Sequence, residues 1–239
     1  MRNVLTIGGK EFKSYVASPM AYIITAAFLI GSGFFFIVVS GAAFTETSMR
    51  GVFGNTLYVI VVLLLMSLLT MRLIAEEKKL GTIELLMTAP IRDSELVLGK
   101  FLGSIGMMAV MLAFTLYYPL MLVIFGDPDL GPIFSAYLGF FLLGGLALSA
   151  GLFASSLTSN QIISAVVGGG IVLGLWFMGV AAGLLPIALG SAVAYFSPAN
   201  YMPDFVRGIV DTRGIIYFLS MIALFLFLAV RSLENSRWS

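Results

Sequence analysis

The spacing of charged residues constrains this chain more than any other feature of it. Between Lys13 and Glu46 lie 32 residues without a charge, between Arg50 and Arg72 lie 21, between Lys100 and Asp127 lie 26, and between Asp129 and Asp204 lie 74. A hydrocarbon layer of about 30 Å is crossed by roughly 20 apolar residues in a helix, and only helices or closed barrels satisfy their backbone there. The gaps predict helical spans at about Ala21–Ala43, Asn55–Met71 and Phe101–Phe125. The longest gap holds two, about Ile133–Ala154 and Ile162–Leu184, split by the polar turn "SSLTSNQ" at Ser155–Gln161. A run at Ile215–Val230 makes the sixth. With 60% hydrophobic and 10% charged residues and a mean hydropathy of +1.06, the chain reads as an all-α integral membrane protein. It forms a single transmembrane unit over residues 1–239, with no room for a separate soluble domain.

Six spans place both termini on one side, and the basic residues say which. With the termini inside, ten of the 13 basic residues are internal: Arg2, Lys10, Lys13, Arg72, Lys78, Lys79, Arg92, Lys100, Arg231 and Arg237. Only Arg50, Arg207 and Arg213 are left outside. The expectation is therefore cytoplasmic termini. The N-terminus lacks the short apolar region and small-residue cleavage site of a removable signal peptide. On a helical wheel of residues 1–18, Leu5, Ile7, Phe12, Tyr15 and Val16 share one face, with Arg2, Thr6, Lys10 and Lys13 opposite and Glu11 misplaced. This reads either as an amphipathic helix on the inner membrane surface, ended by Pro19, or as a basic lead-in that only sets topology.

Several function classes are excluded by composition. There is no Cys and no His, which removes thiol chemistry, the usual zinc sites and imidazole relays. A net charge of +1 gives no basic field for nucleic acid. No ionisable residue falls mid-span, against a proton-coupled carrier, and no phosphate-binding G-x-x-x-x-G-K-[ST] motif occurs, so the chain does not hydrolyse ATP and binds no cofactor of its own. Small-xxx-small pairs (Gly99/Gly103, Gly170/Gly174, Gly179/Gly183) allow close helix packing, a subunit interface or a moving gate.

The polar segment Arg72–Lys100 holds ten of the 25 charged residues. "RLIAEEKK" can continue span two as a helix, and Gly81 can end it. Thr82 is placed to cap a short helix with Glu84 in its first turn, stopped by Pro90, and Asp93 or Ser94 can cap the next. Ile83, Leu86 and Met87 would form an apolar ridge on that short helix, suited to docking in a groove of another protein. The plainer alternative is a solvated loop.

The order "EEKKLGTIELLMTAPI" followed by "SELVLGKFLG" resembles the signature of ABC-2 type permeases, the membrane subunits of ATP-binding-cassette transporters. "KEFKSYVASPMAYI" (Lys10–Ile23) looks like that family's N-terminal connecting helix. Tyr195–Glu234 is similar to the end of the same permeases, especially the gliding-motility, GldF-like type. The resemblance implies a non-catalytic permease paired with a second permease domain, identical or related, and with two copies of a cytoplasmic ATPase carrying ATP and Mg. It implies that Gly81, Thr82, Ile83, Glu84, Leu85, Leu86, Met87, Thr88, Ala89, Pro90 and Ile91 are the ATPase-docking coupling helix and its flanks, and that Glu76 and Glu77 form a hinge below span two. Residues 186–214 would be an external segment that dips back into the membrane, the alternative being a plain loop. A bacterial inner membrane is the expected location. An ATP-independent channel or secondary carrier, and a membrane scaffold of an envelope or motility complex, are the competing functions.

Overall fold

The computed structural model describes residues 2–42, 50–82, 91–125 and 128–236. Among them every regular element is helical and there is no strand. Six stretches are long and apolar enough to cross a membrane: Pro19–Val38, Thr56–Leu80, Asp93–Ile124, Leu130–Leu157, Gln161–Ala182 and Thr212–Asn235. They coincide with the six expected spans, so both termini share one face, called here the terminal face.

Helix α1 (Arg2–Ala17) precedes α2 (Pro19–Ala42), the first span. Pro19 does end α1, and it also opens α2 at the first helical position, where its missing N–H costs nothing. On the far face α3 (Arg50–Phe53) leads to α4 (Thr56–Thr70), the second span. Asn55 caps α4, its Oδ1 accepting from the amides of Leu57 and Tyr58. The chain then returns through α5 (Ala75–Leu80) to the third span, α6 (Asp93–Thr115) and α7 (Tyr117–Phe125). The fourth span is α8 (Leu130–Leu157) and the fifth α9 (Gln161–Ala182), joined by a turn over residues 158–160 where the sequence placed one.

Two spans are less regular than expected. Span three is interrupted at Leu116 because Pro119 has no N–H for the carbonyl of Thr115, four residues back. Tyr137 of α8 donates its hydroxyl to that carbonyl at 2.9 Å, so the freed acceptor is satisfied within the protein, as apolar surroundings require. Span two does not run on unbroken into "AEEKK": residues 71–74 form an irregular turn between α4 and α5.

The bundle is organised around α8, whose best 18-residue window is 83% buried against 28–67% for the other spans. Small residues make this possible by letting neighbouring backbones approach. A Cβ at Gly139 would lie 2.6 Å from Phe205 Cβ, one at Gly144 would strike Met108 Sδ, and one at Gly151 would strike Thr70 Oγ1. Span six, α12 (Thr212–Ser236), also packs on α8.

Between spans five and six lie α10 (Ile187–Tyr195), a 3₁₀ turn at Pro198–Asn200 and α11 (Met202–Arg207). Gly190 packs on the Ala182 carbonyl at the end of α9, while Ser197 donates to the Trp176 carbonyl at 3.0 Å. At 1.5 Å per residue, α10 thus returns along α9 by roughly 9 Å. α11 runs back the other way along α8, from Phe205 on Gly139 to Gly208 on Pro132.

Candidate coupling site

The described residues of the sequence-predicted site, Glu76, Glu77, Gly81, Thr82 and Ile91, lie at the terminal face, where α1, α5 and the start of α6 meet. The lone charge on the packed face of α1, Glu11, and Glu77 of α5 both reach the ammonium of Lys100 on α6, at 3.3 and 2.8 Å. The Lys100 side chain is only 3% exposed and the two carboxylates are 20% and 24% exposed. A buried ammonium needs such partners, and here it binds three helices at one point. The second oxygen of Glu77, Oε2, is buried without a hydrogen bond.

Glycines set the distance between α1 and α6. A Cβ on Gly99 would stand 2.6 Å from Ile7 Cβ, and one on Gly103 2.6 Å from Glu11 Cβ. Of the three small-residue pairs in the sequence, Gly99/Gly103 is thus an internal packing face, whereas Gly170 and Gly174 face open space. The expected face of α1 is divided. Ile7, Phe12 and Tyr15 turn toward the bundle, while Leu5 and Val16 are exposed. The reason is that α1 rests on a protein helix, so its packed face follows Gly8 and Glu11 as well as the apolar residues.

The far end of α1 is tied to span two. Burial pushes the Tyr15 hydroxyl well above its ordinary pKa. It remains a donor, to the Leu69 carbonyl at 3.0 Å. The Arg72 guanidinium lies 5.2 Å from the Tyr15 ring centroid and donates to Ser18 Oγ.

Ser155 of α8 holds the break in span two. Its Oγ accepts from the amides of Ile74 and Ala75, both at 3.0 Å, and donates to the Met71 carbonyl at 3.1 Å. One hydroxyl has one donor and two acceptor positions, and all three are used. The next residue, Ser156, receives the Lys78 ammonium on its carbonyl. Sequence reasoning read Ser155 and Ser156 only as part of a turn. The available signal was a pair of hydroxyls at the end of an otherwise apolar helix.

Gly81 ends α5 in the left-handed region, at φ +70°, the conformation expected of it. Thr82 is exposed and its hydroxyl donates back to the Glu77 carbonyl at 3.4 Å. Ile83, Glu84, Leu85, Leu86, Met87, Thr88, Ala89 and Pro90 lie outside the described residues. Ile91 is half-buried just before α6. The N-cap of α6 is Arg92, one position ahead of Asp93 and two ahead of Ser94, the caps expected. Glu95 accounts for the shift: its Oε2 accepts from the Arg92 amide and from Asn3 Nδ2, both at 3.2 Å, the reaching-back half of a capping box. The backbone break at residues 71–74 comes just before Glu76 and Glu77, and of those two Glu77 is the one joined to Lys100.

Comparison with curated proteins returns no match. The family model described as "ABC-2 family transporter protein" matches residues 44–231, from the far-face end of span one to the end of span six, across the whole region between α5 and α6. The chain is therefore a multi-pass membrane protein of the ABC-2 transporter family, a family of transport membrane components that associate with an ATP-binding subunit.

Proposed function

We propose that this chain is the permease subunit of an ATP-binding-cassette transporter, of the GldF-like gliding-motility subgroup. It forms the translocation path and takes its energy from a separate cytoplasmic ATPase that carries ATP and Mg. Two permease domains, identical or related, pair with two ATPase copies in a bacterial inner membrane, with both termini cytoplasmic. Gly81–Ile91 docks into the ATPase, Glu76 and Glu77 act as the hinge, and residues 186–214 re-enter the outer half of the bilayer through α10 and α11.

The observation that carries this reading is the Glu11–Lys100–Glu77 contact. A segment that receives force from a moving partner needs its two flanks, α5 and α6, fixed to each other. Lys100 fixes them and adds α1. ATP binding closes the cassettes, the docked segment moves with them, and spans two and five open or close the path. This is a two-state element biased by a remote ligand.

Gentle purification of the tagged chain from its native membranes, beside a Glu84→Arg variant, tests the proposal. An ATP-binding-cassette subunit recovered with the original and lost from the variant supports the docking assignment. Absence of such a subunit from both would sink it and favour the carrier or scaffold.

A further inference from the structure

A cavity of about 460 Å³ lies between the far-face ends of α4 and α9, closed on one side by α11, within the roughly 300–1,000 Å³ range of small-molecule sites. Its wall is mainly apolar, built from Phe53, Val59, Trp176, Phe177, Met202 and Val206. Arg207 borders it too, but that residue already has an interaction partner. What the cavity selects is therefore read from its neutral groups.

The decisive one is the indole nitrogen of Trp176. The residue is 7% exposed, and its carbonyl accepts from the Ser197 hydroxyl at 3.0 Å. Its indole N–H has no acceptor among the described residues. Nor is Nε1 sealed in protein, because the buried polar side-chain atoms without a partner among the described residues are Glu77 Oε2, Ser135 Oγ and Ser164 Oγ. An open, unpaired donor on a residue that borders this cavity is a donor offered to what fills it.

Trp176 lies six residues before the end of α9, roughly 9 Å inward at 1.5 Å per residue. Below the membrane surface there is little water to satisfy an N–H, so the acceptor has to arrive on an apolar molecule. Thr56, exposed in the first turn of α4, lines the same cavity nearer the far face and gives it a polar mouth. An apolar body, one buried donor and a polar mouth are the complement of a hydrocarbon chain joined to a carbonyl.

We propose that this cavity holds the acyl ester of a lipid, its chain against the apolar wall and its carbonyl oxygen accepting from Trp176 Nε1. The site goes beyond the permease reading and needs no ATPase.

To test it, the full chain is reconstituted into nanodiscs of equal parts ester-linked phosphatidylcholine and its ether-linked counterpart, which keeps the chains and headgroup and lacks the carbonyls. After extraction in detergent, native mass spectrometry counts the lipid that stays bound. Ester should exceed ether by about fivefold, the ratio one neutral hydrogen bond supplies. Trp176→Phe keeps an aromatic wall without the N–H and should return the ratio to one. Val180 lines the same cavity and is 69% exposed, so Val180→Phe fills the space without touching the core and should release both lipids with Trp176 intact. A ratio of one in the original chain, a preference that survives Trp176→Phe, or retention unchanged by Val180→Phe would each overturn the site. Added diacylglycerol then separates the two sources of an acyl ester. Displacement of the bound phospholipid assigns the site to a free neutral ester, and its persistence assigns the site to the bilayer's own lipid; either result keeps the acyl ester. Because no ATPase takes part, this experiment and the co-purification fail independently of each other.

Discussion

Ser155 Oγ stands 3.0 Å from the amide nitrogen of Ile74, so a side chain of span four closes a gap in the backbone of span two. Both groups are fully buried, as is Ala75. Ser155→Ala would strand two amide donors and the Met71 carbonyl. An unsatisfied buried group costs about 1–3 kcal/mol, and the variant should melt at a clearly lower temperature in detergent. A melt indistinguishable from the original would show that the break is held by packing alone.

Lys100→Met leaves Glu11 and Glu77 without their shared cation. Removing one partner of a buried ion pair costs about 3–5 kcal/mol, and the partial exposure of both carboxylates puts the expected loss at the lower end. Adding Glu11→Gln and Glu77→Gln should recover most of it. Thermal unfolding of the single and triple variants measures both effects, and a triple variant no more stable than Lys100→Met would mean the triad contributes through shape and not charge.

Gly99→Val should lever α1 off α6, since its Cβ would stand 2.6 Å from Ile7 Cβ. Overpacking of this kind costs about 1–3 kcal/mol. Protease sensitivity at α1 should rise sharply, whereas Gly174→Ala, facing open space, should leave it unchanged.

Tyr137→Phe removes the donor for the Thr115 carbonyl, with an expected cost of about 1 kcal/mol. Pro119→Ala restores an N–H four residues along and should offset that loss. In a double-mutant cycle the two changes should therefore couple favourably, and strict additivity would break the link drawn between the proline and the tyrosine.

Gly81→Val forces a β-branched residue into φ +70°, at about 1–2 kcal/mol or more. With a partner ATPase present, hydrolysis should continue while transport falls, because the strain sits at the flank of the docking segment and outside the spans. Normal transport by this variant would count against the docking assignment.

How much of this was legible in the sequence follows from range. The six spans were readable because each is a continuous apolar run, and the stop at Gly81 because a helix end is decided within a few residues; the same local rule gives Asn55 its role as the cap of α4, which the sequence reading took only as the start of the span. The Pro119 interruption was also local, but its repair by Tyr137 was not, since nothing near Thr115 specifies which neighbour supplies a hydroxyl. Glu11 had a visible anomaly without a visible cause. A carboxylate among Ile7, Phe12 and Tyr15 signals a buried partner, but Lys100 is 89 positions away. The placement of α8 at the centre was hidden for a different reason. In a membrane chain apolar residues face lipid and protein alike, so hydropathy does not distinguish a core helix from a peripheral one, and the ten Gly, Ala and Ser residues among positions 139–156 were the better indicator.

The contact between Glu11 and Lys100 also imposes a timetable. At a synthesis rate of about 5–20 residues per second, the 89 positions that separate them take roughly 5–20 s to emerge. For that interval α1 is complete while the helix it belongs against does not yet exist. Its exposed Leu5 and Val16 give it an apolar edge to rest on in the meantime, with Glu11 still hydrated. Helix α1 is thus made well before the helix it chiefly packs on, and a chain halted before span three would leave it held only at its far end, by Tyr15 on the Leu69 carbonyl.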